Sequence, residues 1–269
     1  MPHDVEAIVV SNRRLSPEYH VLALAAPDVA REAAPGQFVM VKPATSSHPL
    51  LRRPFSVFEI LRDHARVTGL SLLSKRVGPS TARLYEAEPG DTIRCLGPLG
   101  RAFTPVDPPA EAWMVAGGVG LAPFAMLAET LRQRGTRSRL YYGGRRASDL
   151  FHLDWFEQLG VELVLTTEDG SRGVHGRVTE PLERDLGSRG ADAVVYACGP
   201  EPMLASVARL AQTAGRPSQV SVERVMGCGL GGCYSCVIPV RGEAGAAAHF
   251  VRSCLSGPVF DGATVDWGG

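Results

Sequence analysis

Four cysteines towards the C-terminal end carry the clearest chemistry in the chain. Cys228, Cys233 and Cys236 lie in the run RVMGCGLGGCYSCVIPV (224–240), and Cys254 follows the spacer 237–253. Thiolates bind soft metals, and a 2Fe–2S cluster takes four of them converging on one small volume. The C-x4-C-x2-C opening matches the plant-type 2Fe–2S spacing. Structural zinc sites usually offer paired C-x2-C knuckles or histidines, and only one C-x2-C is present here. Gly227, Gly229, Gly231 and Gly232 let the loop take positive φ and bring backbone N–H groups close to sulfur. The competing reading is a glycine-rich loop with buried or disulfide-bonded cysteines. Four of the six cysteines fall within 228–254 at this spacing, which favours cluster ligands.

A chain of 269 residues has room for two domains and a small third module. With 28 basic and 28 acidic residues, nothing in the charge supports binding to nucleic acid or a membrane surface. The start, MPHDVEAIVVSNRR, lacks the apolar core of a signal peptide. Residues 113–131 are apolar apart from Glu129. Gly117, Gly118, Gly120 and Pro123 interrupt them, which suits a strand, loop and helix better than a membrane span. Metal-binding thiolates need a reducing compartment, so the expected location is the cytoplasm.

The elements that must position the cysteines come earlier. Short β-rich runs at 7–10, 21–24, 38–41, 55–60, 67–73 and 92–96, separated by turns such as Pro35-Gly36 and Pro89-Gly90, predict an antiparallel barrel or sandwich. Within it, Arg52-Arg53-Pro54-Phe55-Ser56 could hold a phosphate through a guanidinium and a hydroxyl, or be a solvated basic edge. Gly78-Pro79-Ser80-Thr81 opens a short helix, either as an anion site or merely as a cap. Cys95 reads as structural. The proline-rich stretch 104–112 reads as a linker.

Strands at 114–116, 139–142, 161–165, 193–197 and 220–222 then alternate with helices at 121–134, 147–159 and 201–214. This pattern predicts a parallel sheet covered on both faces. Ligands bind at the carboxyl ends of such strands. Two loops lie there. Gly117-Gly118-Val119-Gly120 allows close approach to a diphosphate, although Pro123 replaces the third glycine of the usual fingerprint. Cys198-Gly199-Pro200 offers a thiol that is either a plain buried group or a neighbour of a nicotinamide ring. Histidines show no ligand spacing, and neither a Ser-His-Asp order, H-E-x-x-H nor a Walker loop occurs, so hydrolytic and phosphoryl-transfer chemistry has no support.

In order, RRPFS, VGPST, GPLG, AGGVGLAPF and ACGPEPML resemble the motifs of the ferredoxin–NADP reductase superfamily. The trailing cysteine module, preceded by Ser221-Val222-Glu223-Arg224, is similar to one branch, the electron-transfer subunits of NAD-dependent B-type dihydroorotate dehydrogenase. The resemblance implies an FAD-binding antiparallel β-barrel at 1–103, a doubly wound parallel α/β domain for NAD at 104–222 and a 2Fe–2S module at 223–269. By resemblance, Arg53 and Ser56 contact the FAD diphosphate and isoalloxazine, with Pro54 and Phe55 shaping the bend. Gly78, Ser80 and Thr81 cradle the FAD phosphates. Gly117, Gly118 and Gly120 face the NAD diphosphate, while Cys198 and Gly199 approach the nicotinamide as the catalytic position. Cys228, Cys233, Cys236 and Cys254 hold the cluster. The family's turn commonly has glycine where Ser80 stands, and the spacer before Cys254, with its soft run 242–248, is long.

The implied activity is exchange of electrons between two-electron NAD and one-electron carriers. In this branch, electrons leave dihydroorotate at an FMN on a separate catalytic subunit, cross the cluster to FAD and reduce NAD⁺ in pyrimidine biosynthesis, in an assembly of two copies of each chain. Other readings are an FAD and 2Fe–2S subunit of a sulfide dehydrogenase, hydrogenase or ferredoxin-linked transhydrogenase, and, from another class, a zinc-stabilised binding module. Arg145 and Arg146 could accommodate a 2′-phosphate or lie on the surface, leaving NAD against NADP to the resemblance alone.

Overall fold

The computed structural model describes residues 1–44, 50–188, 192–242 and 247–268. Alternating burial in the first part folds seven strands into one curled antiparallel sheet: β1 (His3–Arg14), β2 (Tyr19–Ala25), β3 (Phe38–Pro43), β4 (Arg53–Ser56), β5 (Glu59–Asp63), β6 (Arg66–Lys75) and β7 (Thr92–Leu99). The order β4-β3-β7-β1-β2-β6-β5 places consecutive strands β4 and β5 at opposite edges. The two residues joining them close the curl. Val57 N–H donates to Gln37 O at 3.0 Å and Phe58 N–H to Ser71 O at 2.9 Å. The run 55–60 is therefore two strands rather than one, broken where the chain crosses from one edge to the other. Helix α1 (Pro27–Glu32), which periodicity did not reveal, and α2 (Pro79–Glu86) cover the sheet, and Leu22, Leu24, Val39, Leu70, Leu72 and Leu84 pack inside it.

The second sheet has the order β11-β10-β9-β8-β12-β13-β16. Six strands run parallel: β8 (Glu111–Gly117), β9 (Ser138–Gly144), β10 (Glu162–Thr167), β11 (Val174–His175), β12 (Ala193–Cys198) and β13 (Ser218–Ser221). Helices α3 (Ala122–Gln133), α4 (Leu153–Gln158), α5 (Thr179–Ser188) and α6 (Glu201–Thr213) connect them. The helix expected over 147–159 is a 3-10 turn at Ala147–Asp149 followed by α4. His152 between them takes a left-handed φ of 59°, which no helix accommodates. Helix α5 went unread in the sequence.

The proline-rich linker is hydrogen-bonded to the parallel sheet. Tyr196 Oη accepts the Val106 N–H and donates to Thr104 O, both at 2.9 Å, and the Gln219 amide pairs with both backbone groups of Thr104. One apolar cluster joins the two sheets: Val21, Phe58, Leu73 and Phe103 from the barrel side meet Leu121, Phe124, Leu127 and Phe156. With roughly 1.5–3 kcal/mol for each large side chain removed from water, this shared core holds the sheets as one unit.

The C-terminal part forms a hairpin of β14 (Val237–Val240) and β15 (His249–Arg252), a short helix α7 (Ser253–Ser256) and β16 (Val259–Asp261). Strand β16 returns to pair antiparallel with β13, so the cysteine module contributes a strand to the parallel sheet. Residues 243–246 of the soft run lie outside the described residues.

Candidate functional site

Strand β8 leads to β9 on one side while β12 lies on its other side, and ligand crevices form at such a reversal. Two clefts open there. The first, of 590 Å³, lies between the barrel and the parallel sheet. All four residues of β4, namely Arg53, Pro54, Phe55 and Ser56, line it. Residues three apart on an ideal strand lie on opposite faces, but β4 is an edge strand with one side open, so Arg53 and Ser56 can both reach this cleft, and Pro54 is tolerated at such an edge. The two neighbouring arginines divide their work. Arg52 pairs with Asp4 at 2.6 Å, whereas among the described residues Arg53 donates only to the Leu51 and Arg52 carbonyls, at 3.2 and 3.1 Å.

Facing β4 in the same cleft is the start of α2, with Gly78, Ser80 and Thr81. The first-turn N–H groups of a helix lack intrahelical partners and favour an anion. Thr81 serves differently from the expected direct contact. Its Oγ1 accepts the Val77 and Gly78 N–H groups at 2.8 and 3.0 Å and donates to Gly78 O, so the hydroxyl shapes the turn. The far end of α2 is also held. Asn12 Nδ2 donates to the Leu84, Tyr85 and Ala87 carbonyls at 2.8–3.0 Å, and its Oδ1 lies 2.7 Å from Nδ1 of the buried His20. Burial, and then Arg14, push the His20 imidazole down to about 4.

The second cleft, of 530 Å³, lies over the ends of β8, β9 and β10. Gly117 and Gly118 line it, with Gly143, Gly144 and Glu168 opposite. Its wall includes Thr166, whose buried Oγ1 has no hydrogen-bond partner among the described residues. Gly120 departs from the expectation. A Cβ there would stand 2.1 Å from Cys198 O, so Gly120 lets the β8 loop press on β12 instead of lining the cleft. Gly199 likewise packs against Gly117, its Cβ direction meeting Gly117 N at 3.0 Å. Arg145 and Arg146 both reach Asp149, at 3.7 and 3.8 Å, and Arg145 also reaches Glu18.

Lys75, Val119 and Glu223 line both clefts. Cys198 belongs to the first. Burial pushes its thiol far above the ordinary range, which favours the neutral thiol over the thiolate. Burial also raises the Glu223 carboxyl. Sequence reasoning gave Glu223 no role. The available signal was an acidic residue directly after the last strand, at the ligand end of the sheet.

All six cysteines are free. The hairpin explains how the long spacer closes: Val237 pairs with Arg252, and Ser253 N–H donates to Cys236 O at 3.0 Å, bringing Cys254 beside Cys236. The four sulfurs gather as two pairs. The Cys233 thiol feels Cys228, and the Cys254 thiol feels Cys236 first and Cys228 after it. Among the described residues no three His, Cys, Asp or Glu side chains surround a single point as one metal ion requires. Two-and-two grouping fits a cluster in which each of two irons takes two thiolates. Cys236 and Cys254 are buried with Phe38, Met40, Leu96, Leu99 and Met226, whereas Cys233 is exposed. Hydrogen bonds from the Ser235 hydroxyl and backbone bring the Cys233 thiol down to about 6, and burial followed by the Cys236 sulfur pushes Cys254 up to about 12.

The profile of the iron–sulfur cluster binding domain of dihydroorotate dehydrogenase B matches residues 223–266, and that of an oxidoreductase NAD-binding domain matches residues 114–209. The dihydroorotate dehydrogenase B (NAD(+)) electron transfer subunit of Desulforamulus reducens is 36% identical over 262 residues, covering 97% of this chain and 98% of that one. Its counterpart in Geobacillus kaustophilus is 38% identical over 255 residues, 94% of each chain. The chain belongs to this family of electron transfer subunits. A solved NADH-dependent reduced ferredoxin–NADP oxidoreductase superimposes with a TM-score of 0.84 at 28% identity, over 98% of this chain and 90% of that one. A ferredoxin–NADP⁺ reductase of Neisseria gonorrhoeae shares the fold, with a TM-score of 0.67 at 20% identity over 79% and 92% of the two chains. The family member described here is thus an oxidoreductase component with iron–sulfur and NAD-binding regions on a barrel and α/β frame. No helix among the described residues is long and apolar enough to cross a membrane.

Proposed function

We propose that the chain exchanges electrons between an FMN-containing dihydroorotate dehydrogenase catalytic subunit and NAD, in the cytoplasm, as a step of de novo pyrimidine biosynthesis. The observation that carries this reading is the continuity of three sites. Lys75, Val119 and Glu223 are common to both clefts, and Phe38 and Met226 are common to the first cleft and the cluster burying Cys236 and Cys254. FAD, when bound, supplies the conversion between an electron pair and single electrons, and a 2Fe–2S cluster handles one electron at a time.

In this reading Arg53 and the first turn of α2, with Ser80, hold the FAD diphosphate, while Pro54, Phe55 and Ser56 flank the flavin. Thr81 and Gly78 set the turn. Gly117 and Gly118 admit the NAD diphosphate, and Gly120 and Gly199 let the two loops meet. Cys198 and Glu223 border the place where nicotinamide and flavin face each other. Cys228 with Cys233, and Cys236 with Cys254, hold the cluster. The working units are 1–103, 104–222 and 223–269, the last tied to the second through β16. The partner docks on the cluster side, where Leu230, Tyr234, Phe250 and Leu255 of the cysteine module are exposed, and the assembly contains two of each chain.

The chain should be isolated anaerobically with whatever accompanies it, and its visible spectrum followed on adding dihydroorotate. Bleaching of flavin and cluster bands, with NADH appearing once NAD⁺ is added, is the expected result. Bleaching by NADH but not by dihydroorotate would retain the cofactors and reject the partner. A ferredoxin-linked complex is the second reading, favoured by the TM-score of 0.84, and the copurifying chain distinguishes the two.

A further inference from the structure

Ser235 stands next to the exposed ligand Cys233, its Oγ 3.1 Å from Sγ. The Gly227 N–H donates to the same Oγ at 2.9 Å. An amide N–H can only donate, so the serine oxygen is the acceptor in that bond and its one hydroxyl proton remains for another partner. A metal-bound thiolate can only accept. With Cys233 as a ligand thiolate, the 3.1 Å bond therefore runs from the Ser235 hydroxyl to sulfur.

We propose that Ser235 is a positioning residue that sets the reduction potential of the cluster, its O–H···S bond to Cys233 favouring the reduced form. The inference rests on Cys233 being a cluster ligand. One-electron reduction adds one negative charge, shared over the irons and their sulfurs, and a donor aimed at a ligand sulfur stabilises that charge more after reduction than before it. The proton stays on the Ser235 oxygen throughout, so one electron enters and one leaves without proton movement. The remaining sulfur environment makes the effect one-sided. Cys228 accepts the Leu230 N–H at 3.3 Å, Cys236 and Cys254 lie buried beside Met40, Leu96 and Leu99, and among the described residues no hydroxyl or amide side chain other than Ser235 is hydrogen-bonded to any of the four sulfurs. Ser235 is therefore the side chain through which this chain adjusts the solvent-facing half of the cluster. Arg252 steadies the loop around it, donating to Gly231 O at 2.9 Å and lying 4.7 Å from the centre of the Tyr234 ring.

The test uses the holoprotein with Ser235→Ala, Ser235→Val and Ser235→Thr, titrated electrochemically while the reduced cluster is followed by electron paramagnetic resonance. Iron and acid-labile sulfide are measured on each sample. The Ala and Val proteins should reduce at a lower potential than wild type, the Thr protein, which keeps the hydroxyl, should stay near wild type, and the flavin potential should not move. Equal cluster potentials in all four proteins would overturn the inference. Loss of the cluster from the two hydroxyl-free variants would do the same, since the hydroxyl would then serve assembly. Wild-type iron, sulfide and resonance in Cys233→Ala would instead remove the ligand assignment, and the inference with it.

Discussion

Phe38 packs in the same apolar cluster as Cys236, and the same Phe38 forms part of the wall of the first cleft. The cysteine module and the flavin cleft therefore share a wall supplied by β3. Changes on the cysteine loop should reach the barrel, and the converse should hold.

Gly229 tests this coupling. At φ 74° a Cβ would stand 2.6 Å from Met40 Cγ and 3.1 Å from Leu99 Cδ1. Gly229→Ala combines left-handed strain with overpacking, and should cost roughly 1–3 kcal/mol. A lower melting midpoint and reduced iron content are the expected results; unchanged values of both would show that the loop can lift off β3.

Acid should loosen the end of the barrel that carries α2. His20 titrates at about 4 when folded against 6.5 in the ordinary state. Its lowered value means that the fold prefers the neutral ring. The stabilisation is complete above pH 6.5 and is lost as pH falls towards 4, amounting to about 3 kcal/mol at about 1.4 kcal/mol for each pH unit. His152, also lowered to about 4 by burial and then Arg13, acts in the same direction. Denaturant melts at pH 7 and 4.5 should show a smaller loss for His20→Gln than for wild type.

Glu168 should choose between the two nicotinamide dinucleotides. It lines the second cleft just after β10, where a carboxylate can accept from a ribose diol and repels a 2′-phosphate, while Arg145 and Arg146 are engaged by Asp149. Glu168→Gln should narrow the preference for NADH over NADPH by roughly tenfold, equivalent to about 1.4 kcal/mol. The ratio of kcat/KM for the two cofactors measures this, and an unchanged ratio would assign the choice elsewhere.

Glu223 offers a prediction whose sign is fixed by burial. Its carboxyl is raised in the folded chain, so ionising it works against the native state. That penalty is absent below the unfolded pKa and grows as pH rises through the folded one. Glu223→Gln should therefore be more stable than wild type at neutral pH, with the difference vanishing under acid conditions. The same variant should slow flavin reduction by NADH, read by stopped-flow absorbance, without loss of iron.

The chemistry was legible in the order of residues: four cysteines at a cluster spacing, two glycine-bearing loops at strand ends, and a β-rich half followed by an alternating half. These are local properties, since spacing sets which groups can share a ligand and periodicity sets which face is buried. Long-range contacts alone decided the rest. Asp4, far away in the chain, occupies Arg52 and leaves Arg53 for the cleft. A hairpin folds the spacer so that Cys254 meets Cys236, and β16 carries the module back onto β13. Glu223 gained its place because the segment after β13 passes where the two clefts join. Each of these is a meeting of distant segments, whose energy comes from packing and desolvation and leaves no mark in the local pattern of residues.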